Sequence, residues 1–128
     1  PKSIMFTCIA SIGKIALSIF PCITNQQINS VIPHSKYNNE FIYYALYKKA
    51  YYIKLQLAST TLPIVNKTDF SKFIITIPKN PEEQQKIVDV LSSVDELITA
   101  QSEKIESLKQ HKKGLLQGLF PSIEEVSQ

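Results

Sequence analysis

Asn80-Pro81-Glu82-Glu83-Gln84-Gln85-Lys86-Ile87 opens the stretch whose reading decides the fold, and no further proline follows until Pro121. Asn80 has the side chain to cap a helix. Pro81 suits the first helical position, where its missing N–H is no loss, and the two glutamates oppose the positive end of the helix dipole. Glycine interrupts the stretch only at 114 and 118. The spacing predicts one helix from Pro81 to about Phe120, ~60 Å long at ~1.5 Å per residue.

Along it Ile87, Leu91, Val94, Ile98, Gln101, Ile105, Leu108, Lys112, Leu115 and Leu119 form a series whose steps alternate between four and three. A heptad repeat of this kind winds an apolar seam that faces a partner helix continuously. Gln101 and Lys112 are its polar exceptions. Polar seam residues fix register and partner choice, and Lys112 has the alternative of snorkelling at the seam's edge. A domain of ~80 residues has a radius of gyration of ~12 Å, too small to cover such a seam. Ile87 and Leu91 are expected to pack on that domain, and the seam from Ile105 onward on a second helix.

Working outward, Pro78 and Pro81 mark a boundary, since neither donates to a ladder and each restricts its predecessor. The chain reads as a domain at 1–79, a helix at 80–120 and a tail at 121–128. The first part is α+β, with a small mixed sheet. Strands are expected at 4–10, 14–20 and 28–32, with Gly13 turning the first into the second and Ile15, Leu17 and Ile19 on a buried face. Asn38 or Asn39 starts a helix over 40–57. Its buried stripe is Ile42, Leu46, Ala50, Ile53 and Leu57, flanked by five tyrosines that either cover the core's rim or stack on bases. A polar loop at 59–63 and a last strand at 73–77 follow.

Charge divides the chain. Residues 1–79 carry nine lysines against Glu40 and Asp69, formally +7. Residues 80–128 carry five lysines against nine acids, formally −4. The first part suits a polyanion. Every basic residue is lysine, which draws phosphate but lacks arginine's bidentate fork on guanine. Cys8 and Cys22 sit in apolar runs without metal-ligand spacing, so buried free thiols of a reducing compartment are expected, with a disulfide between strands as the alternative. His34 and His111 read as surface residues. No signal peptide, membrane span, phosphate loop or catalytic constellation is legible. The chain lacks an initiator Met and is expected to be a C-terminal fragment, or a half-subunit acting as a homodimer.

Three stretches resemble the specificity subunit of type I restriction–modification systems. They are Ile77-Pro78-Lys79-Asn80-Pro81-Glu82-Glu83-Gln84-Gln85-Lys86-Ile87, then Leu91-Ser92-Ser93-Val94-Asp95-Glu96-Leu97-Ile98 running to Leu108-Lys109-Gln110-His111-Lys112-Lys113-Gly114-Leu115-Leu116-Gln117-Gly118-Leu119-Phe120-Pro121, and the weaker Ser11-Ile12-Gly13-Lys14 with Asn25-Gln26-Gln27. The resemblance implies the later part of a target-recognition domain and a spacer helix. Such a subunit is bacterial, cytoplasmic and non-catalytic, and reads half of a bipartite double-stranded DNA target. Its spacer pairs with a second spacer helix, of the same subunit or of a homodimer partner. DNA methyltransferase subunits dock on that bundle and bind S-adenosylmethionine, so this chain needs no cofactor. A restriction subunit cuts where a system has one.

Resemblance and side-chain chemistry together nominate Lys14, Asn25, Gln26, Gln27, Thr60, Thr61, Asn66 and Lys67 as DNA-facing residues. Asn and Gln pair with adenine edges, Thr is permissive and Lys meets phosphate. Each has the competing role of a turn-stabilising residue, Asn25 above all. A coiled-coil dimerising adaptor with a basic protein-binding domain fits the charge split and the seam equally. A small enzyme fits neither.

Overall fold

The structure is a computed structural model that describes residues 2–9, 11–57 and 64–120. The expected loop at 59–63 and tail at 121–128 lie outside the described residues, as does the side chain of Leu57. The chain divides into two compact units, Pro1–Asp89 and Val90–Gln128.

The first unit is built on β1 (Ile4–Thr7), β2 (Ile15–Leu17) and β3 (Ile28–Val31), in the order β2-β1-β3. Both pairings are antiparallel, with Ile4 opposite Leu17 on one side and Val31 on the other. The strands are shorter than their apolar runs. Ile4–Leu17 is the outermost register pair of the hairpin, so Ile19, expected on the buried face, is exposed. Gly13 turns the hairpin with φ +74°. A Cβ there would meet the Lys54 Cε at 3.0 Å and the Ala50 Cβ at 3.3 Å, so both its conformation and the approach of helix α1 (Asn39–Leu57) require glycine.

Ile4, Phe6 and Cys8 alternate inward from the central strand, the period of a sheet with one buried face. Against them α1 turns Ile42, Leu46, Ala50 and Ile53, the stripe read from the sequence, together with Phe41. Asn38 caps α1, its Oδ1 accepting the N–H groups of Glu40 and Phe41 at 2.9 and 3.0 Å. The core forms two clusters. One gathers Phe6, Cys8, Ile12, Ala50, Ile53 and Val65. The other joins Ile4, Phe41, Ile42, Leu46 and Val88. A short helix, α2 (Lys67–Ser71), unforeseen in the sequence, places Phe70 against Phe6 with ring centroids 4.9 Å apart.

Residues 73–77 join no ladder among the described residues. Phe73, Ile75 and Ile77 still pack inward in the expected alternation. A strand needs a neighbour ~4.8 Å away, and the three-stranded sheet takes this segment at neither edge. The sheet is therefore antiparallel throughout rather than mixed.

Helix α3 (Pro81–Leu119) has 39 residues, ~58 Å at ~1.5 Å each. Asn80 caps it, accepting the Glu82 N–H at 2.9 Å. Its first turns belong to the first unit. There Val88, 2% exposed, enters the second core cluster, with Ile87 packed at its margin. The inward face runs through Gln84 and Val88, one helical step of four, rather than through Ile87 and Leu91. Leu91, expected to pack, is 38% exposed. Beyond it Val94, Ile98, Ile105, Leu108, Leu115 and Leu119 are exposed in the single chain.

Candidate nucleic-acid interface

An open groove of mixed polar and apolar lining forms where the backbone continues past β1. Cys8 donates its N–H to the Gln27 carbonyl at 2.8 Å, and the Val65 N–H donates to the Cys8 carbonyl at 2.9 Å. An antiparallel bridge pairs Ile9 with Ile64. These bonds draw the turn before β3 and the segment before α2 to one end of the sheet. Between them lies an open groove of about 550 Å³, bordered by Thr24, Gln26, Asn29, Ser30, Asn66 and Lys67.

The structure thus brings together Gln26, Asn66 and Lys67 of the nominated residues. Asn25 and Gln27 flank them. Asn25 Oδ1 accepts the Gln27 N–H at 3.1 Å, the turn-stabilising role weighed above. Asn66 is also occupied locally. Its Oδ1 accepts the Asp69 N–H at 2.8 Å as the cap of α2, and its Nδ2 donates to the Asp69 carboxylate at 2.7 Å. Gln26 and Lys67 are exposed. Lys14 does not border the groove. It sits at the hairpin, where its backbone N–H reaches Thr7 Oγ1 at 3.0 Å. Thr60 and Thr61 lie outside the described residues.

Thr24, Asn29 and Ser30 were missed. The pointer was Asn29-Ser30, a polar pair inside an otherwise aliphatic strand. Thr24 and Ser30 hydroxyls stand 3.3 Å apart. Asn29 Nδ2 is buried without a hydrogen-bond partner, a state that costs about 1–3 kcal/mol. Cys8 lies at the groove's base, and burial pushes its thiol up from the ordinary 9.0, so it is protonated at neutral pH. Both cysteines are free, Cys8 buried and Cys22 exposed. The expectation of two buried thiols fails at Cys22, because its run leaves the sheet after Leu17.

Of the seam residues, Ile87 belongs to the first unit's core margin, and Gln101 and Lys112 are exposed like the aliphatic residues between them. No helix among the described residues is long and apolar enough to cross a membrane.

A basic α+β unit with an open groove, continued in sequence by a long heptad-patterned helix, has the organisation of a recognition module. Comparison with known proteins gives the family. Residues 1–110 match the type I restriction modification DNA specificity domain, and the chain belongs to that family. It is 33% identical over 127 residues to the type I restriction enzyme MjaIX specificity subunit of Methanocaldococcus jannaschii, covering 97% of this chain and 29% of that protein. It is 39% identical over 80 residues to the HindI specificity subunit of Haemophilus influenzae, covering 60% and 17%. It is 36% identical over 80 residues to the MjaVIII specificity subunit of M. jannaschii, covering 62% and 19%. The chain therefore spans less than a third of each relative's length.

Proposed function

We propose that this chain is a DNA-reading and spacing part of a type I specificity subunit and itself catalyses no reaction. The basic unit holds one half of a split double-stranded target in the groove bordered by Gln26, Asn66 and Lys67. Helix α3 pairs through its seam with a second spacer helix, of the same full-length subunit or of a homodimer partner, running antiparallel. Two recognition units at the ends of a ~60 Å rod stand less than two turns of B-DNA apart, at ~34–36 Å per turn. Methyltransferase subunits dock on the paired helices and carry S-adenosylmethionine. A restriction subunit joins where the system has one.

The observation that carries this reading is the reach of the family match. It runs from the first residue of the basic unit well into the exposed seam of α3, so a single family match covers both the part proposed to read DNA and most of the helix proposed to space it. The charge split supports it, since lysines dominate only the part assigned to DNA.

The test uses the full-length subunit with its methyltransferase, duplex DNA and a salt series. The expected result is affinity whose logarithm falls linearly with the logarithm of salt, together with methylation of a bipartite site. Absence of DNA affinity at low salt would sink the reading. Self-association through the seam without methylation would point instead to the dimerising adaptor.

A further inference from the structure

Phe73-Ile74-Ile75-Thr76-Ile77 has the properties of a β-strand but, among the described residues, no paired neighbour. Phe73 packs on one core cluster, and Ile75 and Ile77 on the other. Ile74 between them is 83% exposed and Thr76 is exposed too, so burial alternates with the period of a half-buried strand. Four of the five residues are β-branched, the composition that pleated surfaces favour. Yet among the described residues the backbone N–H and C=O groups of 74–77 have no hydrogen-bond partner. Natural proteins blunt such edges with charge, proline or a bulge. Here nothing blunts the run between Lys72 and Pro78. Alongside it lies an open cleft of about 240 Å³, walled by Ile74 and Thr76 on one side and by Lys48, Lys49 and Tyr52 of α1 on the other.

The geometry points to strand addition. We propose that an extended, acidic segment of a partner protein pairs its backbone with residues 74–77 and lays its carboxylates against Lys48 and Lys49. In such a mode main-chain bonds supply affinity, and the pockets for alternate side chains supply choice. Nucleic acid fits the edge less well. Phosphates only accept hydrogen bonds, whereas half of an unpaired strand's groups are carbonyls that would face them. A second copy joined through the same edge would bring two Lys48–Lys49 pairs together, which like-charge repulsion opposes. The proposal rests on the reading above, since the partner is a protein subunit of the complex that this chain joins.

Hydrogen exchange read by mass spectrometry tests it, on the 128-residue chain alone and with the methyltransferase subunit of its own system. Peptides covering 73–77 exchange fast in the chain alone and slow by about tenfold or more in the complex before DNA is added. Replacing Lys48 and Lys49 together (Lys48→Glu, Lys49→Glu) weakens the subunit's binding by about tenfold and leaves the circular dichroism unchanged. The proposal is overturned if the bound subunit leaves 73–77 exchanging as before, or if duplex DNA alone slows it. DNA affinity is measured on the same samples. Salt-sensitive DNA binding with an unprotected edge removes strand addition alone. Loss of both DNA and subunit binding removes the specificity-subunit reading and strand addition with it.

Discussion

Gln84 and Asn38, 46 residues apart in sequence, are joined by a hydrogen bond from the Asn38 backbone N–H to the Gln84 Oε1 at 3.1 Å. The other end of the same amide donates to the Pro78 carbonyl at 2.8 Å. Gln84 is 2% exposed, so this one side chain satisfies two backbone groups, one at the cap of α1 and one at the entry to α3. Asn38 adds a second tie, its Nδ2 donating to Gln85 Oε1 at 2.8 Å. Replacing Gln84 by alanine strands both backbone partners. The expected loss is about 2–3 kcal/mol, read as a lower urea midpoint with the slope unchanged. A loss under ~0.5 kcal/mol, the range of ordinary surface changes, would contradict the bracket.

Val88→Ala and Leu97→Ala remove methyl groups from the same helix with different expected outcomes. Val88 lies in the core and Leu97 is 65% exposed. The first change costs about 2 kcal/mol through lost burial and the cavity left behind, and the second less than ~0.5 kcal/mol. Equal losses in urea denaturation would mean that the core does not extend into α3.

Gly13→Ala tests the hairpin. Its positive φ and the 3.0 Å approach of Lys54 Cε both resist a methyl group. A destabilisation of about 1–2 kcal/mol is expected. Thermal unfolding of the variant at neutral pH would expose the error if the midpoint did not move.

The two thiols differ in reactivity. Cys22 is exposed, whereas burial raises the Cys8 thiol above its ordinary 9.0. In the native chain Cys22 reacts with a thiol reagent at once, and Cys8 only as the protein opens. Because the folded state holds Cys8 protonated, its contribution is fully present below the unfolded value and is lost as pH rises through the raised folded value. Stability measured above about pH 9 therefore falls more steeply for the native chain than for Cys8→Ala. Parallel pH curves for the two would rule this out.

If the groove holds DNA as proposed, two kinds of contact should be separable in it. Lys67→Ala is expected to weaken binding alike for all sequences and to reduce the salt slope by about one. Gln26→Ala is expected to relax preference at one base pair by about 1–3 kcal/mol. Competition titrations with permuted duplexes distinguish these outcomes, and an unchanged salt slope for Lys67→Ala would take it off the phosphate path.

Much of the fold was legible because periodicity reports burial directly. The stripe of α1 and the capped start of α3 followed from spacing and from single residues, Asn38 and Asn80. Strand ends were not legible, since a ladder stops where its partner stops, and nothing near Ile19 says that the register closes at Ile4 and Leu17, with only Ser18 bonded beyond it. Residues 73–77 show the same limit in another form, because alternation reveals a buried face and says nothing of who lies alongside. Val88 was hidden by its neighbour. Ile87 fitted the heptad, and the inward face at this end of the helix is offset from the seam by one residue. The groove was half legible. Gln26 and Lys67 stood out by side-chain chemistry, whereas Asn29 is a groove residue only because Cys8, Gln27 and Val65 are tied together by backbone bonds that no local pattern encodes.

The place where Val88 sits bears on where two such modules could be joined in an engineered hybrid. A crossover at the proline-marked boundary near residue 80 would give an incoming globule another protein's glutamine and valine, and with them an ill-fitting plug for its own core. Functional hybrids should therefore inherit the opening turns of the rod together with the globule, their joints falling after Asp89, where the chain's two compact units part.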